Sequence, residues 1–301
     1  MSNYSSFLHD NRFIIFLFHG VIPRQNHTIR NYTNKHLVLD RFVSIVRDLC
    51  SNGTPVSMTD IVGANDNSTK LPDRAFAITF DDGFENNYSV AAPVLHALGV
   101  PATFYITTGF VESNTLSWID IIEYAVEKRD KFHLALPFDG LKGTYETYEQ
   151  KMELLDQIRW SVKNGPHIDP YEIAHDVCKQ LDIEMIEADP DLDQKMNWEQ
   201  VRELSKNPLF TIGGHSHTHR ILAYLDQSEL EYEITTSLEK LRTCLGAAVK
   251  HYSYPEGLAH CYSDRVVDEL RRCGVVCALT AEHGMNSLGD DLFHLKRVIV
   301  V

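Results

Sequence analysis

Arg74-Ala75-Phe76-Ala77-Ile78-Thr79-Phe80-Asp81-Asp82-Gly83 reads as a buried strand that ends in two carboxylates and a glycine. In α/β architectures, chemistry collects at the C-terminal ends of strands. Adjacent carboxylates repel, so both stay ionised only beside a cation or strong donors. A divalent metal held by one Asp and two His would resolve the repulsion and leave coordination positions for water and substrate. The second Asp would then be free to act as a base. Taken alone, Asp-Asp-Gly is equally ordinary turn or helix-cap chemistry.

The imidazoles come later in the chain. His215-Ser216-His217-Thr218-His219 follows the apolar run Leu209-Phe210-Thr211-Ile212 and the pair Gly213-Gly214. This reads as another buried strand, opening into a turn. Imidazole is the commonest protein ligand for a transition metal. On a helical turn His215 and His219 would share a face while His217 points away; on an extended segment all three would share one. The bland alternative is a solvated histidine-rich loop.

A chain of 301 residues accommodates one large α/β domain or two smaller ones. A net charge of −14 argues against nucleic acid or an anionic membrane as the main partner, since both need a basic surface. Six cysteines show no CxxC pair or zinc-finger spacing and read as small core residues of a reducing compartment. The apolar run Phe13–Phe18 is too short for a signal-peptide core or a bilayer span, so it reads as a first core strand. No transmembrane segment and a cytoplasmic location are therefore expected.

Elements alternate along the chain. A helix is expected from about Asp40, as N-cap, to Cys50, with Gly53 as its stop, and a short strand over Pro55–Met58. Leu71–Asp73 reads as a loop before the strand that ends at the acidic pair. A helix over Asn86–Leu98 with Pro93 as a kink precedes strand Val100–Thr107. Asn197 caps helix Trp198–Lys206, and Asp226 with Glu229 forms a capping box for a helix reaching Leu245 and Gly246. Strand His251–Tyr254, helix Ser263–Arg272 and strands Val275–Thr280 and Arg297–Val301 follow. Such alternation implies a mostly parallel sheet, open or closed as a barrel.

Residues 112–196 break the rhythm. They hold helix-like segments (Trp118–Lys128, Glu149–Lys163, Tyr171–Leu181), a hairpin over His133–Tyr145 and the acidic run Glu184–Asp193, which reads as solvated loop. We read this stretch as an insertion over or beside the barrel mouth, within a single domain spanning residues 1–301.

Together the motifs carry a resemblance. Thr79-Phe80-Asp81-Asp82-Gly83 and His215-Ser216-His217-Thr218-His219 resemble the first two motifs of the polysaccharide deacetylases, the NodB-homology or family 4 carbohydrate esterases, and stand in the family order. The resemblance covers roughly residues 12–110 and 196–301, while Trp118-Ile119-Asp120 and Met196-Asn197-Trp198 look like segments of members with an insert. It implies a distorted (β/α)7 barrel and metal-dependent removal of an acetyl group from a sugar. By motif position Asp82, His215 and His219 would bind the metal, and Asp81 would be the catalytic base; His217 falls at a variable position. Zinc suits such a set, and Co, Ni, Mn and Fe remain open.

The third motif departs from the family pattern RxPYG, reading Ser253-Tyr254-Pro255-Glu256-Gly257. The turn is expected to survive, with backbone N–H groups near Glu256 binding an oxyanion. Arg297 is a candidate substitute for the missing arginine, and Trp118 a candidate for stacking on a sugar ring. The final motif, LxH, finds Leu292-Phe293-His294 late in the chain and a better match, Leu17-Phe18-His19, at the end of the first strand. Resemblance to circularly permuted members assigns the acid to His19, with His294 second. The expected substrate is an N-acetylated sugar, nucleotide sugar or lipid-linked glycan in surface-polysaccharide biosynthesis. The alternatives are an N-deformylase on such a carrier, a catalytically impaired sugar-binding member of the same fold, and a different barrel metal hydrolase.

Overall fold

The computed structural model describes residues 4–66, 70–138, 140–166 and 168–301. β1 (Phe13–Phe18) is followed by a parallel pair, β2 (Gly20–Ile22) and β3 (His36–Val38), and by α1 (Leu39–Asn52). β4 (Thr54–Pro55) and α2 (Met58–Asn65) lead to β5 (Ala75–Phe80). A π-helical turn, Asn87–Ala91, runs into α3 (Ala92–Leu98), and β6 (Ala102–Ile106) follows. Next come α4 (Thr108–Ser113), α5 (Trp118–Glu127), the antiparallel hairpin β7 (Phe132–Ala135) and β8 (Lys142–Tyr145), α6 (Tyr148–Asn164) and α7 (Pro170–Gln180). The chain continues through α8 (Trp198–Lys206), β9 (Phe210–Gly214), α9 (Gln227–Leu245), β10 (His251–Ser253), α10 (Asp264–Arg272), β11 (Cys277–His283) and β12 (Leu295–Ile299).

Seven strands close a parallel ring in the order β1-β12-β11-β10-β9-β6-β5, with β5 pairing back onto β1 from Phe13–Ala75 to Phe18–Phe80. This is the (β/α)7 barrel the resemblance implies. The opening strand completes the ring between β5 and the last strand, where Phe16 faces Val298. Because every barrel strand runs the same way, the segments after β1, β5, β9 and β10 all emerge at one mouth.

Side chains along each strand alternate between two apolar clusters, as period-two geometry requires. Ile14, Phe16 and Phe18 of β1 and Phe76, Ile78 and Phe80 of β5 pack with the surrounding helices. Phe13, Ile15, Ala75 and Ala77 face a smaller cluster with Tyr105, Leu279 and Leu295, to which α2 adds Met58 and Ile61. Burying a phenylalanine is worth about 1.5–3 kcal/mol, so the strand–helix seam carries most of the apolar stabilisation.

Three local expectations change. The strand expected over Pro55–Met58 is confined to Thr54–Pro55: Ser57 accepts a hydrogen bond from the Asp60 N–H while Asp60 accepts from the Ser57 N–H, and this capping box starts α2 at Met58. Asp40 lies in the first turn of α1 rather than capping it. Gly213 and Gly214 belong to β9, not to a turn, because the rings of Tyr105 and Tyr252 occupy the space a side chain would need.

The segment between β6 and β9 builds its own apolar cluster around Ile122, Leu134, Leu154, Leu155, Ile158 and Val177, joined by Ile29. The acidic run is not wholly solvated. Asp193 is buried and paired with the buried Arg30, and Asp189 meets His27 at 3.2 Å. A buried guanidinium needs a counter-charge, and the end of the run supplies it. Among the described residues no helix is long and apolar enough to cross a membrane.

Candidate active site

Asp81 and Asp82 follow β5 directly and are both buried. Asp82 takes a left-handed backbone conformation (φ 74°), uncommon for a residue with a side chain. Its Oδ1 lies 3.4 Å from His215 Nε2 and 3.3 Å from His219 Nε2. His215 Nδ1 stands 2.8 Å from the Ser253 carbonyl oxygen. A carbonyl only accepts, so Nδ1 holds the proton and the lone pair of a neutral His215 faces Asp82.

The segment from His215 to His219 is neither helix nor strand. Ser216 (φ 60°) and His219 (φ 62°) are both left-handed and fold it back on itself. His217 is turned to Thr108, whose Oγ1 lies 2.9 Å from its Nδ1, and its N–H and that of Thr218 donate to buried Glu233 on α9. Two imidazoles therefore meet Asp82 and the third serves the loop.

Three donor atoms, one each from Asp82, His215 and His219, lie within 4.8 Å of one another. Asp82 Oδ1, the oxygen nearest both imidazoles, has no hydrogen-bond partner among the described residues. Ligand atoms about 2.0–2.1 Å from one ion at tetrahedral angles stand about 3.3–3.4 Å apart, matching the Asp82–His215 and Asp82–His219 separations. Buried lone pairs converging on one point without shared hydrogen bonds fit a divalent cation.

Beside this cluster, Arg297 Nη1 donates to Asp81 Oδ1 at 2.9 Å and Nη2 to Oδ2 at 2.8 Å. Ser253 Oγ donates to Asp81 Oδ2 at 3.1 Å and accepts from Arg297 Nη2 at 2.9 Å. Burial opposes ionisation of Asp81, but the Arg297 guanidinium outweighs it and holds the carboxyl below its usual range. Ser253, where the motif resemblance expects arginine, thus bridges the two members of the pair.

His19 lines the same cavity of about 140 Å³ as Asp81, Asp82, His215 and His219. Burial pushes its pKa down to about 4, partly offset by the charges of Asp82 and Asp81, so the ring is neutral near pH 7. His294 is not brought to the site; it is exposed, 2.8 Å from Asp291.

In the turn after β10, the Tyr254 N–H donates to the Leu279 carbonyl at 3.0 Å and the Gly257 N–H to the Pro255 carbonyl at 2.7 Å. Proline has no N–H. None of the hydrogen bonds within the turn engages the Glu256 N–H. Glu256 (φ 60°) and Gly257 (φ 61°) are both left-handed, and a side chain on Gly257 would place Cβ 2.5 Å from the Ala281 nitrogen. Trp118, the first residue of α5, is buried in the cluster of its own segment and lines the site cavity.

Sequence reading missed Lys35, Arg159 and Lys163, which also line the cavity. Each meets a carboxylate: Lys35 with Asp120 at 2.5 Å, Arg159 with Glu123 at 2.6 Å, Lys163 with Glu256 at 2.5 Å. No motif marks them, because they come from the β2–β3 connection and from the segment between β6 and β9.

A sequence model described as polysaccharide deacetylase matches residues 68–278. The chain belongs to this family. The deacetylase PplD of Streptococcus pyogenes, solved with acetate, is 14% identical, with 97% of this chain and 93% of that chain covered and a TM-score of 0.62. IcaB of Ammonifex degensii is 16% identical, with coverage of 98% and 94% and a TM-score of 0.60. A de-N-acetylase of Aggregatibacter actinomycetemcomitans is 16% identical, with coverage of 96% and 95% and a TM-score of 0.59. At such identities the likeness is one of fold. No curated protein matches the chain. For this polysaccharide deacetylase, membership and fold support a hydrolase acting on an acetylated carbohydrate.

Proposed function

We propose that this polysaccharide deacetylase hydrolyses an N-acetyl group on a sugar or glycan precursor, using a divalent metal, zinc first, held by Asp82, His215 and His219. The carrying observation is the convergence of those three donors beside a carboxylate clamped by Arg297. A cation there would polarise the acetyl carbonyl and acidify a water molecule.

The chain's own groups handle the protons. Asp81, kept ionised by Arg297, accepts a proton from the attacking water. The Glu256 N–H, unclaimed inside its turn, points to a donor for the oxygen that gains charge. His19 delivers a proton to the departing nitrogen, which leaves poorly without one. Since burial keeps the ring neutral at rest, His19 must first take up the proton that Asp81 accepted in the attack and then pass it on, which returns Asp81 to its charged form as water plus amide yield acetate plus amine. The alternative of an impaired sugar binder rested on the missing arginine; the bonds from Arg297 to Asp81 support the active reading instead.

Residues 112–196 act as an insertion that walls the substrate cavity, a reading supported by Trp118, Arg159 and Lys163 lining it. Six free cysteines suit a reducing compartment. This favours a cytoplasmic precursor, such as a nucleotide sugar or lipid-linked glycan for a surface polysaccharide, over mature wall glycan. Metal-loaded protein should release acetate, or formate from an N-formyl carrier, from a panel of such compounds. Asp81→Asn should abolish release while keeping metal content. Full activity in that variant would sink the assignment of the base.

A further inference from the structure

We propose that Lys163, in the last turn of α6, is a positioning residue that holds the Glu256 turn in shape for the reaction. The inference rests on the reading above that the Glu256 N–H serves the developing oxyanion.

Lys163 makes three contacts that cross from its own segment to the barrel mouth. Its Nζ meets Glu256 Oε2 at 2.5 Å. Its carbonyl oxygen, one of those a helix end leaves unsatisfied, accepts from Tyr224 Oη at 3.2 Å and from His260 Nε2 at 2.9 Å. Tyr224 lies between β9 and α9, and His260 between β10 and α10. Their rings stack at 21° with centroids 6.2 Å apart. One residue thus ties the end of α6 to the two connections that follow the histidine motif and the third motif.

The turn needs such a tie. Glu256 sits at φ 60°, where Cβ crowds the carbonyl and side chains are disfavoured. Gly257 reaches the same region without a side chain. At position 256 the side chain exists and is anchored from outside by Lys163. Losing that anchor frees Glu256 to relax toward ordinary backbone angles, and its N–H turns with it. Glu256 and Lys163 also line both the site cavity and an adjoining one of about 260 Å³, so the pair stands between the two.

Two measurements test this. Hydrogen exchange needs no substrate: Lys163→Met should speed exchange of the Gly257 amide, which donates to the Pro255 carbonyl, at least tenfold while β10 stays protected, and Lys163→Arg should restore protection. Unchanged exchange overturns the proposal. The kinetic arm uses acetate release from triacetylchitotriose by the metal-loaded protein. Lys163→Met should lower kcat about tenfold or more with KM within about twofold, since removing an oxyanion donor outright costs about 10²–10³. A rise in KM alone would mean that Lys163 binds substrate instead. Glu256→Gly supplies a residue at ease at this φ, so adding Lys163→Met to it should change kcat little; an undiminished drop overturns the proposal. Wild-type protein inert on every acetylated probe would count against the proposed function, while the exchange result would still decide the role of Lys163.

Discussion

Arg297 and Asp81, 216 positions apart, form a two-pronged ion pair at the barrel mouth, with parallel bonds of 2.9 and 2.8 Å. The fork-to-carboxylate match fixes orientation as well as charge. Arg297 Nε also donates to the Thr280 carbonyl at 2.6 Å, so the guanidinium is anchored independently of Asp81. The pair fixes which oxygens of Asp81 are engaged and keeps it charged in a buried setting.

Arg297→Gln should therefore act on stability and on pH dependence together. Breaking a buried pair on one side costs about 3–5 kcal/mol, read as a lower midpoint in urea. Asp81 has a depressed folded pKa, so it contributes stability above its unfolded pKa of about 3.9 and loses that contribution as pH falls through the folded value. Without Arg297 the folded pKa rises, and the acid limb of kcat/KM moves to higher pH. Arg297→Lys should fall between, since an ammonium restores charge without the fork. An acid limb that stays in place in Arg297→Gln would remove Asp81 from the role of base.

Metal removal gives a second prediction. Binding at a hundredfold excess over Kd should stabilise the fold by about 2.7 kcal/mol, seen as a rise in Tm when zinc is added to chelated protein. Asp82→Ala and His219→Ala should lose that rise, retain little metal in elemental analysis and lose activity. His217→Ala should keep metal, because its ring is bonded to Thr108 rather than to the cluster. Equal metal content in Asp82→Ala and wild type would contradict the assigned ligands.

The sequence pointed to Asp82, His215 and His219 because strand-end motifs in a parallel barrel share one mouth. The local path was not legible: Ser216 and His219 adopt left-handed angles that no periodicity announces. Arg297 was a candidate through its place on the last strand, but Lys35, Arg159 and Lys163 lie in stretches without motifs. The reach of Arg159 and Lys163 into the cavity depends on how the segment between β6 and β9 docks, and that of Lys35 on where the β2–β3 connection lies, both tertiary properties. The start of helix α2 is hidden for the opposite reason, since Ser57 and Asp60 spell a capping box that Pro55 and Val56 obscure.

The two histidines of LxH type should separate cleanly. His19→Gln should lower kcat about 10²–10⁴-fold, the usual range for a lost acid–base group, with metal content and KM little changed. His294→Gln should leave kcat within about twofold, because His294 is exposed beside Asp291. A large loss in His294→Gln alone would reverse the assignment.

Gly213→Ala tests the packing beneath the site. The added Cβ would stand 2.4 Å from the Tyr105 ring and 3.1 Å from the His251 carbonyl oxygen. Tyr105 is fully buried, so its ring cannot swing out to solvent. Overpacking of this kind costs about 1–3 kcal/mol, measurable as a lower urea midpoint with an unchanged m-value. Gly213 pairs with Tyr105 across β9 and β6, two residues before His215, so displacement of β9 should also weaken metal retention. Tyr105→Phe leaves the ring in place and should not rescue the variant, whereas Tyr105→Leu opens space and should recover part of both losses. If Gly213→Ala proves neutral, the ring and strand have room the packing does not show, and the glycine pair has no structural duty at this position.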